Sequence, residues 1–377
     1  MMPINHHLDP LERSGIRVFT NLAKATPDCR MLTIGEPDQA TPEPIRQAAL
    51  EALSRGETHY APNQGTASLR SAIAAFETNR GRPTAPEEVL VTVGATQALY
   101  TALTGILNPG DQVIIPTPAF SLYATIVTAA GAEPVFLDVS KTDFQITEEA
   151  LNACLTEKTK AIVLNSPCNP TGVILTESSL DTVARAVLGR EIYLICDNVY
   201  DKLVYAPCGD LTRREDLRPQ TILCQSFSKP YAMTGWRVGY LICPEELLSR
   251  LLLLSAAEIA AVPTFLQAAA EAALEVDTEP VRLLYRGRRD YVCSRLDRMG
   301  LSYPQPEGAF YVFPDISQFG IPSWQFCERM IQEAGLAAVP GVCFGTEGYI
   351  RLSYCYSDRE LQESLDRLEG FVKRLGE

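Results

Sequence analysis

Six short apolar runs are spaced along the first two thirds of the chain, and most are separated by segments with apolar residues at helical spacing. The runs are EVLVTV (88–93), QVIIPT (112–117), KAIVLN (160–165), EIYLIC (191–196), TILCQS (221–226) and RVGYLI (237–242). Strands that alternate with helices such as ATQALYTALTGIL and SLDTVARAV predict an α/β fold with an open, mostly parallel sheet between helices. The link between the last two runs is too short for a long crossover helix, so RVGYLI can run antiparallel.

The pattern changes after residue 275. A long charged helix is predicted over PVRLLYRGRRDYVCSRLDRM, followed by short strands at GAFYVF and YIRLSY and by a closing amphipathic helix. A chain of 377 residues is too long for one small core. We therefore predict a large domain over 42–280 and a smaller α+β domain over 281–377, with residues 1–41 as a segment that packs with the smaller domain.

Charge and composition narrow the classes of partner. A formal charge of −13 argues against nucleic acid and anionic membranes. The longest apolar stretch, which starts at Leu251, is interrupted by Glu258, Pro263 and Glu271 and is interpreted as core segments. The N-terminus lacks the pattern of a secretion signal, and the eleven cysteines form no CxxC pair. We expect a cytoplasmic protein with reduced cysteines.

The positions of the histidines restrict the chemistry. His6, His7 and His59 all precede residue 60. This argues against a serine triad, a Cys/His dyad and a multi-histidine metal site, and we expect no metal. Another general base is needed, and Lys229 in the segment LCQSFSKPYAMTGWRVGY is a candidate.

Polar and aromatic residues stand where the predicted strands end. In open α/β sheets, ligands bind outside the carboxyl ends of the strands. One crevice would therefore hold an anion site, an aromatic face, an amide, a carboxylate, a phenol and an amine. These residues are Gly94, Ala95 and Thr96 after the first run, Phe120 and Tyr123 after the second, Asn169 after the third, Asp197 and Tyr200 after the fourth, and Ser226, Ser228, Lys229 and Arg237 at and after the fifth.

That combination of groups matches the needs of pyridoxal 5'-phosphate. A lysine amine is required for the Schiff base, and both desolvation and the nearby Arg237 lower its pKa. A carboxylate keeps the pyridine nitrogen protonated, so that the ring can act as an electron sink. Hydroxyl and guanidinium donors suit the phosphate, and an aromatic face suits the ring.

From GEPD at Gly35 to RLSY at Arg351, the sequence resembles the aspartate aminotransferase family, class I/II aminotransferases of the fold-type-I enzymes that depend on pyridoxal phosphate. The resemblance implies a large domain with a mostly parallel mixed sheet, a smaller α+β domain and an amino acid and a 2-oxo acid as substrates. It also implies roles for particular residues. Lys229 forms the Schiff base and moves the proton, and the phosphate is held by Ser226, Ser228 and Arg237 with Gly94, Ala95 and Thr96. Phe120 stacks on the ring, Asp197 binds the ring nitrogen, Asn169 and Tyr200 contact the ring hydroxyl, and the substrate is bound by Gly35, Asn169 and Arg351. Tyr60, in HYAPNQG, reaches the phosphate of a neighbouring subunit, which implies a homodimer.

The sequence departs from the family at SAAEIAAVPTFLQ, where a polar stretch is common, and no arginine there could bind a second carboxylate. The mouth near Gly35, Tyr123, Phe310 and Ile259 is largely apolar, which favours neutral or aromatic donors at least as much as aspartate. The resemblance implies 2-oxoglutarate as acceptor. Two alternatives are a C–S β-lyase or an aminocyclopropane-carboxylate-synthase-like enzyme of the same fold, and a regulator that keeps the fold. TGWRVGY favours the aminotransferase, and the complete catalytic set argues against the regulator.

Overall fold

A computed structural model describes residue 2, residues 4–11 and residues 13–376. The main sheet and two smaller sheets are built from strands whose bounds, in chain order, are β1 (Arg30–Met31), β2 (Val89–Thr92), β3 (Gln112–Thr117), β4 (Glu133–Asp138), β5 (Thr159–Asn165), β6 (Tyr193–Asp197), β7 (Thr221–Ser226), β8 (Gly239–Ile242), β9 (Tyr311–Val312), β10 (Leu336–Ala337), β11 (Val339–Pro340) and β12 (Ile350–Ser353).

The helices surround these sheets. Their bounds are α1 (Gly15–Ala25), α2 (Glu43–Ser54), α3 (Ala67–Asn79), α4 (Gly94–Ile106), α5 (Leu122–Ala129), α6 (Glu148–Cys154), α7 (Glu177–Val187), α8 (Glu245–Ile259), α9 (Thr264–Leu274), α10 (Glu279–Arg298), α11 (Ser323–Ala334) and α12 (Asp358–Gly376). The predicted long charged helix and the closing amphipathic helix are confirmed as α10 and α12.

The main sheet has seven strands in the order β2-β8-β7-β6-β5-β3-β4. Strands β3 to β7 pair in parallel, and β8 is antiparallel to both β7 and β2. The mixed, mostly parallel sheet and the antiparallel RVGYLI strand are therefore confirmed. The edge strand β4 was not among the six predicted runs. Its sequence EPVFLD contains a proline and leaves Phe136 exposed, so it lacks the continuous apolar pattern of the central strands.

Successive side chains of the central strands enter two different cores. Val113 and Ile115 of β3 pack with Leu99 and Leu103 of α4. Ile114, between them, packs on the other face with a core that includes Val183 of α7. Both faces of the sheet are thus covered, which explains why these strands are apolar at consecutive positions.

A third core lies around the small sheets. Strand β1 pairs in parallel with β10, and β12 lies between β11 and β9 in an antiparallel sheet. Phe19 of α1 and Leu32 are buried in the same cluster as Leu296, Phe326 and Leu365. Residues near the N-terminus therefore share a core with the C-terminal third of the chain. The boundaries 41/42 and 280/281 stay a prediction.

The apolar stretch that starts at Leu251 forms parts of two helices. Helix α8 ends before Ala260, which has a φ of 58°, and α9 begins after Pro263. Over the part of the chain that the structure describes, no helix is long and apolar enough to cross a membrane.

Candidate functional site

The main cavity opens at the carboxyl ends of the neighbouring parallel strands β5, β6 and β7. Its volume is about 490 Å³. Asn165, Asp197 and Ser226 are the last residues of these three strands and all line it. Parallel pairing brings the three ends to one edge of the sheet, as expected for a ligand site in an open α/β fold. Of the residues predicted for the site, those that line the cavity are Gly35, Ala95, Thr96, Phe120, Tyr123, Asn169, Asp197, Tyr200, Ser226, Ser228, Lys229, Arg237 and Arg351.

The amine of Lys229 points into this cavity just after β7. Its Nζ donates a hydrogen bond of 2.6 Å to the carbonyl oxygen of Gly35 and lies 5.7 Å from the centre of the Phe310 ring. Burial, together with the positive charges of Arg351 and Arg237, lowers the pKa of Lys229 to about 8. More of this amine than of an ordinary lysine is therefore uncharged near neutral pH, as a nucleophile or a proton acceptor requires.

The carboxyl group of Asp197 lies at the end of β6. It is buried, and burial raises its pKa to about 6. Its Oδ2 accepts a hydrogen bond of 2.6 Å from the hydroxyl of Tyr123, and its Oδ1 accepts one of 3.4 Å from the backbone N–H of Val199. Burial and the Asp197 charge raise the pKa of Tyr123, so this hydroxyl stays protonated and serves as a donor. No basic side chain forms an ion pair with Asp197 within the described chain.

Donor groups gather at the N-terminus of α4. Ser226 and Ser228 are buried, and the backbone N–H of Ser228 donates to the Ser226 hydroxyl at 3.0 Å. The guanidinium of Arg237 lies against Gly94, where an added Cβ would come within 2.6 Å of Nη2. Gly94 also has a φ of 67°, so a side chain is disfavoured there on both grounds. Hydroxyls, a guanidinium and a helix N-terminus together form a cradle for an anion.

Arg351 of β12 is 1% exposed and has no acidic partner among the described residues. Its Nη1 donates to Oδ1 of Asn169 at 2.8 Å, and Nη2 donates to the carbonyl oxygen of Thr33. Its Nε is buried without a hydrogen-bond partner. A buried guanidinium with an unsatisfied N–H and no counter-charge is suited to bind an anionic ligand.

Two tyrosines and a glycine form the wall between Lys229 and Arg351. The hydroxyls of Tyr200 and Tyr311 lie 2.8 Å apart and are buried. The Tyr311 ring lies under the Arg351 guanidinium at 4.6 Å. An added Cβ at Gly35 would lie 1.9 Å from the Tyr311 hydroxyl oxygen, so only glycine fits beside this wall.

Three predicted positions differ from the rest. Phe120 is half-buried, packs edge-to-face with Tyr123 at a ring-centroid distance of 6.0 Å and lines the cavity. Gly94 lies behind Arg237 rather than on the cavity surface. Tyr60 is 94% exposed and does not line the cavity of its own chain.

Of the four residues named for the predicted apolar mouth, Gly35 and Tyr123 line the cavity, whereas Phe310 and Ile259 do not. Tyr123 is buried and bonded to Asp197, and Phe310 is fully buried behind Tyr311. Ile259 is not part of the cavity wall. The alternation of side chains along GAFYVF places Tyr311, not Phe310, on the cavity.

The sequence reasoning also missed the contribution of α1. One side of this helix and its N-cap line the cavity with Ser14, Ile16, Arg17, Thr20, Asn21 and Lys24. The motif SGIRVFTNLAKA has a clear apolar side at Phe19 and Ala23, but nothing in the sequence shows that its opposite side faces the ends of strands that are far away in the sequence.

The sequence over residues 27–368 matches the family model described as "Aminotransferase class I and II". The chain belongs to this family and is a transaminase, an enzyme that moves an amino group between an amino acid and a 2-oxo acid. The predicted family and the fold-type-I architecture are confirmed.

Relatives match over nearly the full length. The chain is 39% identical to the probable N-acetyl-LL-diaminopimelate aminotransferase of Bacillus subtilis, over 98% of this chain and 96% of that one. It is 38% identical to the aspartate aminotransferase of Pyrococcus abyssi, over 99% of each chain. The solved structure of Thermus thermophilus aspartate aminotransferase with maleate superposes with a TM-score of 0.93 at 34% identity, covering 98% of this chain and 100% of that chain. These names favour an aminotransferase over the β-lyase alternative.

Proposed function

We propose that this transaminase carries pyridoxal 5'-phosphate on Lys229 and exchanges amino groups between an L-amino acid and a 2-oxo acid. The observation that carries the proposal is the meeting of Lys229 and Asp197 in one cavity, where burial drives both groups toward their uncharged forms. Among the residues that the structure describes, neither group forms an ion pair, so each is available to a partner supplied by a ligand.

The donor set fits this cofactor. The cradle of Ser226, Ser228 and Arg237 at the start of α4 suits a phosphate, and Asp197 suits a protonated ring nitrogen. Phe120 offers an aromatic face to the ring, and Asn169 and Tyr200 offer polar groups to its hydroxyl. When bound, pyridoxal phosphate supplies an electron sink that stabilises the charge left when the α-proton of an amino acid is removed.

The residues of the chain supply positioning and proton transfer. Lys229 would accept the α-proton, and the Gly35 carbonyl is positioned to hold the amine in the cavity. The Tyr123 hydrogen bond favours the ionised form of Asp197 and so opposes the effect of burial. Together these contacts would keep the Lys229 amine available as a base and the Asp197 carboxylate available to a positively charged ring nitrogen.

Arg351 would bind the α-carboxylate of the substrate. Its place in the same cavity as Lys229, its lack of an acidic partner among the described residues and its unsatisfied Nε support this role. A planar guanidinium can form two parallel hydrogen bonds with a carboxylate, which fixes its orientation as well as its position. Asn169 already contacts Nη1 and would help to orient the guanidinium.

The relatives named above act, by their names, on aspartate and on N-acetyl-LL-diaminopimelate. Amino donors and 2-oxo acids are therefore the proposed substrates, with 2-oxoglutarate as the acceptor on the ground of family resemblance.

We further propose a cytoplasmic homodimer with shared sites. None of the eleven cysteines forms a disulfide, which is in line with a reducing compartment. Tyr60 is almost fully exposed in its own chain, as a residue that completes a neighbouring site would be. Sedimentation of the wild type and of Tyr60→Ala tests the oligomeric state, and we expect a dimer in both. Titration with the cofactor tests the shared site, and we expect weaker binding in the variant. A fully active monomer would contradict the proposal.

The activity itself is tested with the purified holoenzyme and single amino acids. We expect the absorbance of the cofactor to change to that of a stable amine form, and to return when a 2-oxo acid is added. Release of ammonia and pyruvate instead of this half-reaction would indicate elimination and would refute the proposed exchange.

A further inference from the structure

We infer that Tyr311 is a positioning residue, whose hydroxyl donates a hydrogen bond to Tyr200 and so directs the single proton of Tyr200 toward the ring oxygen of the cofactor. The inference rests on the proposed function, which assigns Tyr200 to the ring hydroxyl but gives Tyr311 no role. It extends that function by one residue, which acts on the cofactor through another side chain.

Tyr311 is held rigidly in the cavity wall. It is 2% exposed and belongs to β9 of the small antiparallel sheet. Its ring packs edge-to-face with that of Tyr200 at a centroid distance of 5.7 Å. Gly35 leaves no free space beside the hydroxyl, because an added Cβ there would lie 1.9 Å from the oxygen. The oxygen therefore has a fixed place, and the hydroxyl proton is the part that can rotate.

The two phenols share one hydrogen bond. Their oxygens lie 2.8 Å apart, and neither has another hydrogen-bond partner among the residues that the structure describes. A phenol offers one proton and two lone pairs, so one of the two protons forms this bond and the other stays free. Both side chains line the cavity. The direction of the bond therefore decides which hydroxyl can donate to a ligand.

Arg351 determines that direction. Its guanidinium carbon lies 4.6 Å from the centre of the Tyr311 ring. Burial raises the pKa of Tyr311 to about 12, with Arg351 opposing the rise, whereas the pKa of Tyr200 is raised well above its usual value by burial and by the contact with Tyr311. Tyr311 is thus the stronger acid of the pair and the better donor. Tyr200 accepts this bond and keeps its own proton for the ligand.

The bond also strengthens Tyr200 as a donor, because a hydroxyl that accepts a hydrogen bond is polarised by it. Donation by Tyr200 withdraws electron density from the ring oxygen. The oxygen then holds less firmly the proton that the bound cofactor shares between it and the nitrogen contributed by Lys229. Loss of the Tyr311 hydroxyl should therefore raise the pKa of the cofactor chromophore, and it should do so through Tyr200.

The test is a pH titration of the cofactor absorbance in the holoenzyme, without turnover. It compares the wild type, Tyr311→Phe, Tyr200→Phe, the double variant and the control Tyr354→Phe. Tyr354 is a matched control because it is 1% exposed, donates its hydroxyl to the carbonyl oxygen of Ala309 at 3.4 Å and does not line the cavity.

We expect Tyr200→Phe to raise the pKa of the chromophore by about 1–2, as for loss of a hydrogen bond to a charged group. Tyr311→Phe should raise it by about 0.3–0.6, since the bond from Tyr200 remains but is weaker. The double variant should match Tyr200→Phe, because without the Tyr200 hydroxyl the Tyr311 hydroxyl has nothing to orient. Tyr354→Phe should match the wild type.

The direction of the bond can be checked without any variant. Neutron diffraction from crystals of the deuterated wild-type holoenzyme should show the deuterium of Tyr311 between the two oxygens and that of Tyr200 directed at the cofactor. The reverse arrangement would overturn the inference even if Tyr311→Phe failed to fold.

Three results of the titration would also overturn it. An unchanged pKa in Tyr311→Phe would mean that its hydroxyl does not reach the cofactor through Tyr200. Additive shifts in the double variant would mean that Tyr311 acts independently of Tyr200. An equal shift in Tyr354→Phe would mean that loss of any buried hydroxyl has this effect. A wild-type protein that gains no absorbance band with pyridoxal phosphate would instead refute the proposed function, before any variant is compared.

Discussion

Two buried arginines of this protein have opposite surroundings. Arg82 is 4% exposed and contacts three carboxylates, those of Glu77, Asp201 at 3.3 Å and Asp210 at 2.5 Å. Arg351 is 1% exposed, yet it contacts an amide oxygen and a backbone carbonyl and keeps an unpaired Nε. The charge of Arg82 is neutralised by carboxylates of the fold, whereas Arg351 has no carboxylate partner in the part of the chain that the structure describes. We interpret the first as structural and the second as part of a binding site.

The buried carboxyl groups of Asp210 and Asp197 differ in the same way. Although burial alone would raise it, the pKa of Asp210 is lowered by Arg82 and by Thr212. The pKa of Asp197 is raised to about 6 because burial is not offset by an ion pair. A buried charge is tolerated when the protein supplies its partner, and a group left without one is poised for a ligand.

The two lysines show that a shifted pKa is not enough to identify a site. Burial, with help from Arg80, lowers the pKa of Lys202 to about 8, the same value as for Lys229. Lys202 lies beside the aromatic rings of Phe76 and Tyr231, outside the cavity. Lys229 is distinguished by what surrounds it: an anion cradle, an unpaired carboxyl group and an unpaired guanidinium within one cavity.

The largest expected effect separates the two arginines. Arg82→Met should lower the free energy of unfolding by about 3–5 kcal/mol, because Glu77, Asp201 and Asp210 would lose the buried cation that they share. Each would keep only one ion pair, with Arg80 or Arg213. Arg351→Met leaves no carboxylate unpaired and should change the stability of the ligand-free protein much less. Denaturant unfolding at neutral pH measures both. An equal loss of unfolding free energy in the two variants would contradict the distinction between a structural Arg82 and a ligand-binding Arg351.

The next effect separates the two carboxylates. Asp197→Ala should slow exchange of the substrate α-proton by about a hundredfold to a thousandfold, since a charge that stabilises the transition state is lost. Asp210→Ala should destabilise the fold but leave exchange per folded molecule near that of wild type. Proton exchange followed by NMR at a temperature where both variants are folded is the measurement. Near wild-type exchange in Asp197→Ala would contradict its proposed role.

A smaller effect is expected for Arg351→Lys. The charge is kept, but the paired donors are lost, so kcat/KM should fall by about tenfold to a hundredfold. Because all amino acids share the α-carboxylate, alanine, phenylalanine and glutamate should be affected by a similar factor. Steady-state kinetics with the three donors checks this. Loss of one donor alone would mean that Arg351 reads the side chain instead.

The smallest effect concerns Tyr123. Its hydrogen bond lowers the pKa of Asp197, so Tyr123→Phe should raise that pKa further above about 6. Pyridoxamine phosphate, with its protonated ring nitrogen, should bind best to ionised Asp197. Its affinity should therefore fall as pH drops below about 6 in wild type, and the fall should begin at higher pH in the variant. Calorimetric titration across pH measures this, with Tyr100→Phe, an exposed tyrosine outside the cavity, as control. An unchanged profile would exclude the coupling.

Much of the site follows from the sequence because parallel strands place their carboxyl ends at one edge. Asn169, Asp197 and Lys229 each follow an apolar run, so their convergence could be predicted from strand order alone. The hydrogen-bond partner of each of these side chains could not be predicted from the sequence. Whether Tyr123 reaches the solvent or Asp197 depends on the direction in which α5 begins, and no local pattern fixes that.

Long-range packing explains the remaining differences. The seventh strand, β4, was missed because an edge strand needs only one buried side, and Pro134 and Phe136 obscure its pattern. The side of α1 that lines the cavity was missed because an amphipathic helix shows which side is apolar, not what its polar side faces. Both features become visible only when segments distant in the sequence are brought together.

The account is tested most directly by locating the cofactor. The protein is incubated with pyridoxal phosphate, reduced with borohydride and digested, and the labelled lysine is identified by mass spectrometry. Of the seven lysines, we expect label on Lys229 and none on Lys202, although burial lowers the pKa of both amines to about 8. Labelling of Lys229 should increase as pH rises through about 8, since the uncharged amine reacts. Equal labelling of Lys202, or full labelling of a Lys229→Arg variant, would contradict the claim that unmatched charges in the cavity mark the site.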